Sequence, residues 1–391
     1  MKYRSFKIPQ EIIYGWGSLD YLSCIRGEKA VVFTDRSSME KWGFLDKALK
    51  NLKKAGIISS LVTNVEKEPS FREVLDNLEE VRSFAPDVFI ALGGGSVIDV
   101  AKAIKILYEV PNLSFDDLFT FSFIPTLLRK SYLVAIPSTS GTGSEVTCAA
   151  VFIEPTSRLK RIIISPELIP DIAVLDPEIT LSLPPSITVY SGLDALTHAV
   201  ESYICKISTE FTRANALQAI KLIFNFLPLA FENGQNKKAR EKMHFAATLA
   251  GLAISNSSPA LAHSLDQIGP LFGLAHGHVL AMLFPYVLEY NRNYCEASYI
   301  ELARSLKIQA NSKEQMIDKF IQKIKELIVS LGISLKIADT GIEFAKVEEK
   351  METIIPLAMR AFATQQNPRN PSSEEIRKII IYAYQGRDID F

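Results

Sequence analysis

The chain has 391 residues, 48% hydrophobic and 22% charged, a balance that excludes intrinsic disorder, collagen and coiled coil and leaves a folded protein of two or three domains. With 43 Lys and Arg against 44 Asp and Glu the net charge is −1, so neither nucleic acid nor an acidic membrane face is favoured as a partner. The opening MKYRSFKIPQEII lacks a signal-peptide core, no apolar run of bilayer-spanning length is evident, and Cys24, Cys148, Cys205 and Cys295 stand singly, which predicts a cytoplasmic, reducing setting without disulfides or a thiolate zinc site.

From residue 1 to about 180 short apolar runs alternate with helical patterns: KAVVFTD, a helix over 37–56, ISSLVTNV, a helix over 70–84, DVFIALGGG, and a helix from Ser96 to Leu107. This alternation predicts parallel strands joined by right-handed crossovers, an α/β sheet whose ligands sit beyond the carboxyl ends of the strands. YLVAIPSTS and DIAVLDPE extend the strand count. Asp35, ending the first run, is placed either to bond the ribose hydroxyls of NAD while repelling a 2′-phosphate, or to cap a helix. Gly93-Gly94-Gly95-Ser96-Val97-Ile98-Asp99 ends a buried strand and opens a helix; Ser96 with Asp99 fits a capping box, and the glycines let backbone N–H groups approach a phosphate. The loop Ser138-Thr139-Ser140-Gly141-Thr142-Gly143 offers hydroxyls and backbone donors at the next strand end, either for a cofactor or as an ordinary loop.

After Pro184 and Pro185 the texture becomes helical over 187–206, 211–231, 237–255 and 313–332, so we expect an α/β dinucleotide-binding domain over 1–184 and an all-α domain over 185–391. The five histidines are His198, His244, His263, His276 and His278. Asp194 and His198 are four apart in a helical pattern and share a face. His263 and His276 lie in apolar, glycine-bearing stretches where a buried imidazole needs a polar partner. Three nitrogens and one carboxylate suit Fe(II) or Zn(II) with a position left open, although the same residues could be a helical pair and two unrelated core histidines. His244, in the charged pattern KAREKMHF, reads as a surface or packing residue.

Together these segments resemble the iron-containing, or group III, alcohol dehydrogenase family. The likeness runs from Tyr14-Gly15-Trp16-Gly17-Ser18 through GGGSVIDVAKAI at 93–104, PSTSGTGSEVT at 137–147 and DIAVLDPEITLSLPPSITVYSGLDALTHAVESY at 171–203, to AHG at 275–277 and Asn367-Pro368-Arg369. It implies hydride transfer between NAD(H), with NADP possible in its place, and a small primary alcohol or aldehyde, by a homodimer of dehydroquinate synthase-like architecture. Metal ligands then fall on Asp194, His198, His263 and His276. Cofactor contacts fall on Asp35, on Gly94, Gly95 and Ser96 with Asp99, on Ser138, Thr139 and Thr142, and on Lys160. Leu271, Phe272 and Leu274 near the expected pocket point to a small uncharged substrate.

One departure stands out. Where the family carries a histidine that relays the alcohol proton, this chain has Gln267, which does not titrate, so proton release is expected through Asp266, His278 or water. Two other enzyme functions resemble the same family. A cyclase or lyase of dehydroquinate synthase type needs Lys and Arg for a phosphorylated substrate, and 190–203 and 257–285 hold none. A metal-free reductase of maleylacetate type lacks the ligand set, which is complete here.

Overall fold

The structure, a computed structural model, describes residues 4–65, 69–119, 124–127 and 129–391. Strands β1 (Glu11–Tyr14), β2 (Lys29–Thr34), β3 (Ile58–Val62), β4 (Val88–Gly93), β5 (Tyr132–Pro137) and β8 (Ile172–Leu175) form one parallel sheet in the order β1-β8-β5-β4-β2-β3. Every residue of β4 is buried, as expected of a central parallel strand covered on both faces, and its VFIAL run is apolar without alternation for that reason. Helices α1 (Phe44–Lys54), α2 (Phe71–Phe84) and α3 (Gly95–Glu109) are the crossovers.

Local chemistry sets their ends. A left-handed Gly43 (φ 75°) starts α1, so the helix expected over 37–56 is broken, and a short π-helical turn at Arg36–Glu40 precedes the break. Ser70 and Glu73 form a reciprocal capping box on α2. The capping box expected at Ser96 and Asp99 does not form. The N-cap of α3 is Gly94 and carries no side-chain cap, so Ser96 lies inside the first turn. Asp99 instead turns inward, accepting from Ser144 Oγ (2.5 Å) and from the Val151 N–H (2.9 Å).

A structure that periodicity did not separate is the antiparallel hairpin of β6 (Ala149–Ile153) and β7 (Lys160–Ile164). Its base is fixed to α3 by buried Lys102, whose Nζ donates to the carbonyls of Thr147 (2.9 Å) and Ala149 (2.8 Å).

From Pro185 onward the described elements are helical: α4 (Pro185–Ile204), α5 (Glu210–Glu232), α6 (Lys237–Ser255), α7 (Leu261–Leu265), α8 (Ile268–Phe272), α9 (His276–Asn291) and further helices ending in Ser373–Gln385. They share one apolar core that includes Leu193, Leu196, Val200, Ile220, Ile223, Leu227, Met282 and Phe284. The reading that no segment has bilayer-spanning character needs correction at α5, which is long and apolar enough by length and composition alone. Its Ala219, Ile220, Ile223 and Leu227 nevertheless face the helical core, and Leu227 fills the space beside Gly192 of α4.

Candidate metal and cofactor site

The site is built on α4. Asp194, His198 and Glu201 stand at i, i+4 and i+7, so all project from one face. Asp194 and Glu201 are buried, at 2% and 0% exposure. Around Asp194 Oδ1 lie the Nε2 atoms of His276 at 3.3 Å, His198 at 3.5 Å and His263 at 3.7 Å. Asp194, His263 and His276 offer ligand atoms all within 4.8 Å of one another, and the rings of His198 and His263 stack at 4.6 Å. The stretches that spacing alone left unrelated are therefore brought together.

Each of the two distant histidines has its own placement device. His263 sits in α7, whose entry is gripped by Glu201: its carboxylate accepts from the N–H groups of Ala260 (2.8 Å) and Ala262 (2.7 Å) and pairs with His263 Nδ1 at 2.6 Å. Sequence reasoning passed over Glu201. The signal available was its place on the stripe already carrying Asp194 and His198, an unpaired carboxylate in an apolar helix. His276 opens α9, and the next residue explains how it reaches Asp194. A Cβ on Gly277 would lie 2.1 Å from the carbonyl oxygen of Tyr190, so α9 meets α4 backbone to backbone.

The residues fit a cation. Asp194 Oδ1 and His263 Nε2 are buried without a hydrogen-bond partner, an expensive condition unless something positive completes them. Ligand atoms bound tetrahedrally at about 2.0–2.2 Å would lie about 3.3–3.6 Å apart, close to the separations around Asp194. The buried carboxylates make this a site that draws positive charge. Burial opposes ionisation of Asp194, yet the surrounding His198 and His276 hold it well below the usual carboxylate range. Burial also opposes charge on His263, but Glu201 and Asp194 outweigh it and lift its pKa to about 10. His198 goes the other way, pushed down to about 4 by burial against the pull of Asp194.

Asp266, one of the groups expected to carry the proton, is engaged on two sides. It pairs with Lys160 Nζ and with His276 Nδ1 (2.5 Å), and despite burial the facing Lys160 and His276 hold its carboxyl well below the usual range. Gln267 accepts the backbone N–H of Lys160 at 3.0 Å, so in this chain that position ties the β6–β7 hairpin to the helical segment. His278 stacks on Tyr190 at 5.0 Å, two residues past His276 and so about 200° around the helix from it. His244 is not a surface residue: it is 1% exposed and its Nδ1 meets Ser140 Oγ at 3.1 Å.

The expected cofactor residues gather at the carboxyl ends of the adjacent strands β2, β4 and β5. A Cβ on Gly94 would meet Thr139 at 3.6 Å and one on Gly95 would meet Thr142 at 2.9 Å, so the two glycine loops face each other. Gly143 (φ 63°) packs on Gly251 of α6 and Gly141 on Ser191 of α4, which brings the second loop against the helix bearing Asp194. Asp35 caps the turn that follows β2, accepting from Ser38 Oγ (2.6 and 2.9 Å) and Met39 N–H (3.4 Å). Ser138 is buried, and Lys160 lies on the hairpin rather than in the sheet.

A parallel sheet with glycine loops at its strand ends, packed on a helical lobe bearing a carboxylate and three imidazoles, is the arrangement of a metal-dependent enzyme that binds a dinucleotide. Comparison with known proteins makes the class specific. The family model described as iron-containing alcohol dehydrogenase matches residues 9–177, and that of the Fe-containing alcohol dehydrogenase family, C-terminal, matches 188–384. The NADPH-dependent butanol dehydrogenase of Clostridium saccharobutylicum is 38% identical over 99% of both chains, and an alcohol dehydrogenase of Thermococcus barophilus is 36% identical over 97% of this chain and 99% of its own. The solved iron-containing alcohol dehydrogenase of Thermococcus thioreducens superposes with a TM-score of 0.90 at 35% identity, covering 98% of this chain and all of that one. The chain belongs to the iron-containing alcohol dehydrogenase family and is an alcohol oxidoreductase.

Proposed function

We propose that Asp194, His198, His263 and His276 together hold one divalent cation, Fe(II) or Zn(II), and that the enzyme interconverts a small primary alcohol and its aldehyde with NAD(H). The observation that carries this is the buried, unpartnered Asp194 Oδ1 ringed by three imidazole nitrogens. When bound, the cation supplies Lewis acidity toward the substrate oxygen and the nicotinamide supplies or accepts the hydride. The chain's own residues do the rest. Glu201 orients His263, Gly277 lets α9 close on α4, and the packing of Gly141 on Ser191 holds the loop 138–143 beside that helix.

The dinucleotide is proposed to lie across Gly94, Gly95 and Ser96 at the start of α3, with its pyrophosphate toward that helix N-terminus. Ser138, Thr139 and Thr142 face it from the neighbouring loop, while Asp99 supports that loop through Ser144. We assign Asp35 to the adenosine ribose, where a carboxylate favours NAD over NADP. The clostridial relative, by contrast, is named for NADPH. A division at 184/185 is supported by the last strand of the sheet ending at Leu175 and α4 starting at Pro185. Four free thiols support a reducing compartment such as the cytoplasm, and the homodimer implied by the resemblance belongs to the same proposal, with sedimentation as its test.

The deciding experiment is a panel of alcohols and aldehydes assayed with NAD(H) and NADP(H) after loading with Fe(II) or Zn(II), run on wild type and His263→Ala. Metal-dependent turnover in wild type that is lost with bound metal in the variant supports the reading. Undiminished turnover of chelated His263→Ala contradicts it.

A further inference from the structure

Lys160, Asp266 and Gln267 form a polar knot beside the proposed cation site, and its donors and acceptors can be counted. His276 Nδ1 has two neighbours, Asp266 Oδ2 at 2.5 Å and Lys160 Nζ at 3.0 Å. An ammonium can only donate and a carboxylate can only accept. If Nδ1 accepted from Lys160, the ring proton would sit on Nε2, the nitrogen that faces Asp194 Oδ1 at 3.3 Å. If Nδ1–H donates to Asp266, Nε2 presents a lone pair there instead. The shorter contact is the one to Asp266, and Lys160 has Asp266 as its own acceptor, so both donors converge on one carboxylate. That carboxylate is 5% exposed, which leaves little room for water to substitute. Gln267 fixes the lysine's backbone by accepting its N–H, so the hairpin cannot drift from the knot without breaking that bond.

We propose that Asp266 is a positioning residue: it holds His276 as the Nδ1–H tautomer and so aims the Nε2 lone pair at the cation position, with Lys160 and Gln267 keeping the carboxylate in place. The inference rests on the cation reading above and replaces the expectation that Asp266 relays a proton. Outer carboxylates of this kind tune ligand orientation and metal affinity.

Five histidines make the test tractable. With selective 15N-histidine labelling of the metal-free protein, at a pH where the ring is neutral, His276 should appear as the Nδ1–H tautomer with a strongly downfield Nδ1 proton. Asp266→Asn should lose that resonance and weaken zinc binding about 10- to 100-fold in chelator competition, and Asp266→Glu should recover part of both. A wild-type His276 carrying its proton on Nε2, or an Asp266→Asn variant that binds zinc as wild type does, overturns the proposal. Should Asp266→Asn not fold, the wild-type spectrum alone decides the tautomer. If His263→Ala abolishes zinc binding and Asp266→Asn leaves it intact, the role of Asp266 fails while the cation site stands. If neither variant changes zinc binding, the cation reading fails and this proposal with it.

Discussion

Glu201 Oε2 lies 2.6 Å from His263 Nδ1, and the same carboxylate accepts the N–H groups of Ala260 and Ala262. One buried anion thus satisfies the start of α7 and turns a ring nitrogen of His263 toward Asp194. Glu201→Gln keeps the size but removes the charge and turns one acceptor oxygen into a donor. We expect metal affinity to fall about 10- to 100-fold and stability to drop by about 1–3 kcal/mol as a buried donor loses its partner. Metal titration and denaturant midpoints check both, and wild-type metal affinity in the variant contradicts the role.

Gly277 is required by close approach, since a Cβ there would sit 2.1 Å from the Tyr190 carbonyl oxygen. Gly277→Ala must push α9 away from α4 and carry His276 with it. The expected result is a stability loss of about 1–3 kcal/mol together with loss of stoichiometric metal. Full metal content in a folded Gly277→Ala protein would show that backbone contact at this point does not place His276.

Asp35 tests cofactor choice. Replacing it with Gly removes the carboxylate that opposes a 2′-phosphate but also the acceptor for Ser38 and Met39. The ratio of kcat/KM for NADPH over NADH should rise at least about tenfold, a change of about 1.4 kcal/mol in discrimination. An unchanged ratio would leave Asp35 as a helix cap alone.

His244 gives a pH signature. Burial pushes its pKa down from 6.5 to about 4, so between those values the unfolded chain binds a proton that the folded chain refuses. Stability therefore rises with pH across that window and is lost as pH falls from about 6.5 toward 4, at up to about 1.4 kcal/mol per pH unit. Denaturant midpoints at pH 7 and pH 5 should separate more in wild type than in His244→Gln. Equal separation in the two would contradict the assignment.

Much of this organisation is legible in the sequence. Parallel strands showed as unbroken apolar runs such as VFIAL, because a strand covered on both faces has no polar side to alternate with. Asp194 and His198 were legible as a pair because a helix fixes their spacing locally. The convergence of His263 and His276 on them was not, since it depends on how α7 and α9 pack on α4, and only the family resemblance supplied it. Of the two readings of His244, surface or packing, the second holds, because Arg240, Met243, His244 and Ala247 form one buried stripe that the charges of KAREKMHF obscure. The Ser96 capping box failed because the N-cap falls two residues earlier, at Gly94, and α3 starts at Gly95, where the chain passes close to Thr142. Hairpin β6–β7 escaped notice because KRIII pairs locally with AAVFI, outside the strand–helix alternation that revealed the sheet.

In the proposed site one cation is shared by Asp194, His198, His263 and His276. Crystals soaked in Zn(II) and measured on either side of the zinc absorption edge test it most directly. A single strong anomalous peak is expected within bonding distance of Asp194 Oδ1 and the three Nε2 atoms. A peak elsewhere, or none among these side chains in a zinc-loaded crystal, would contradict it.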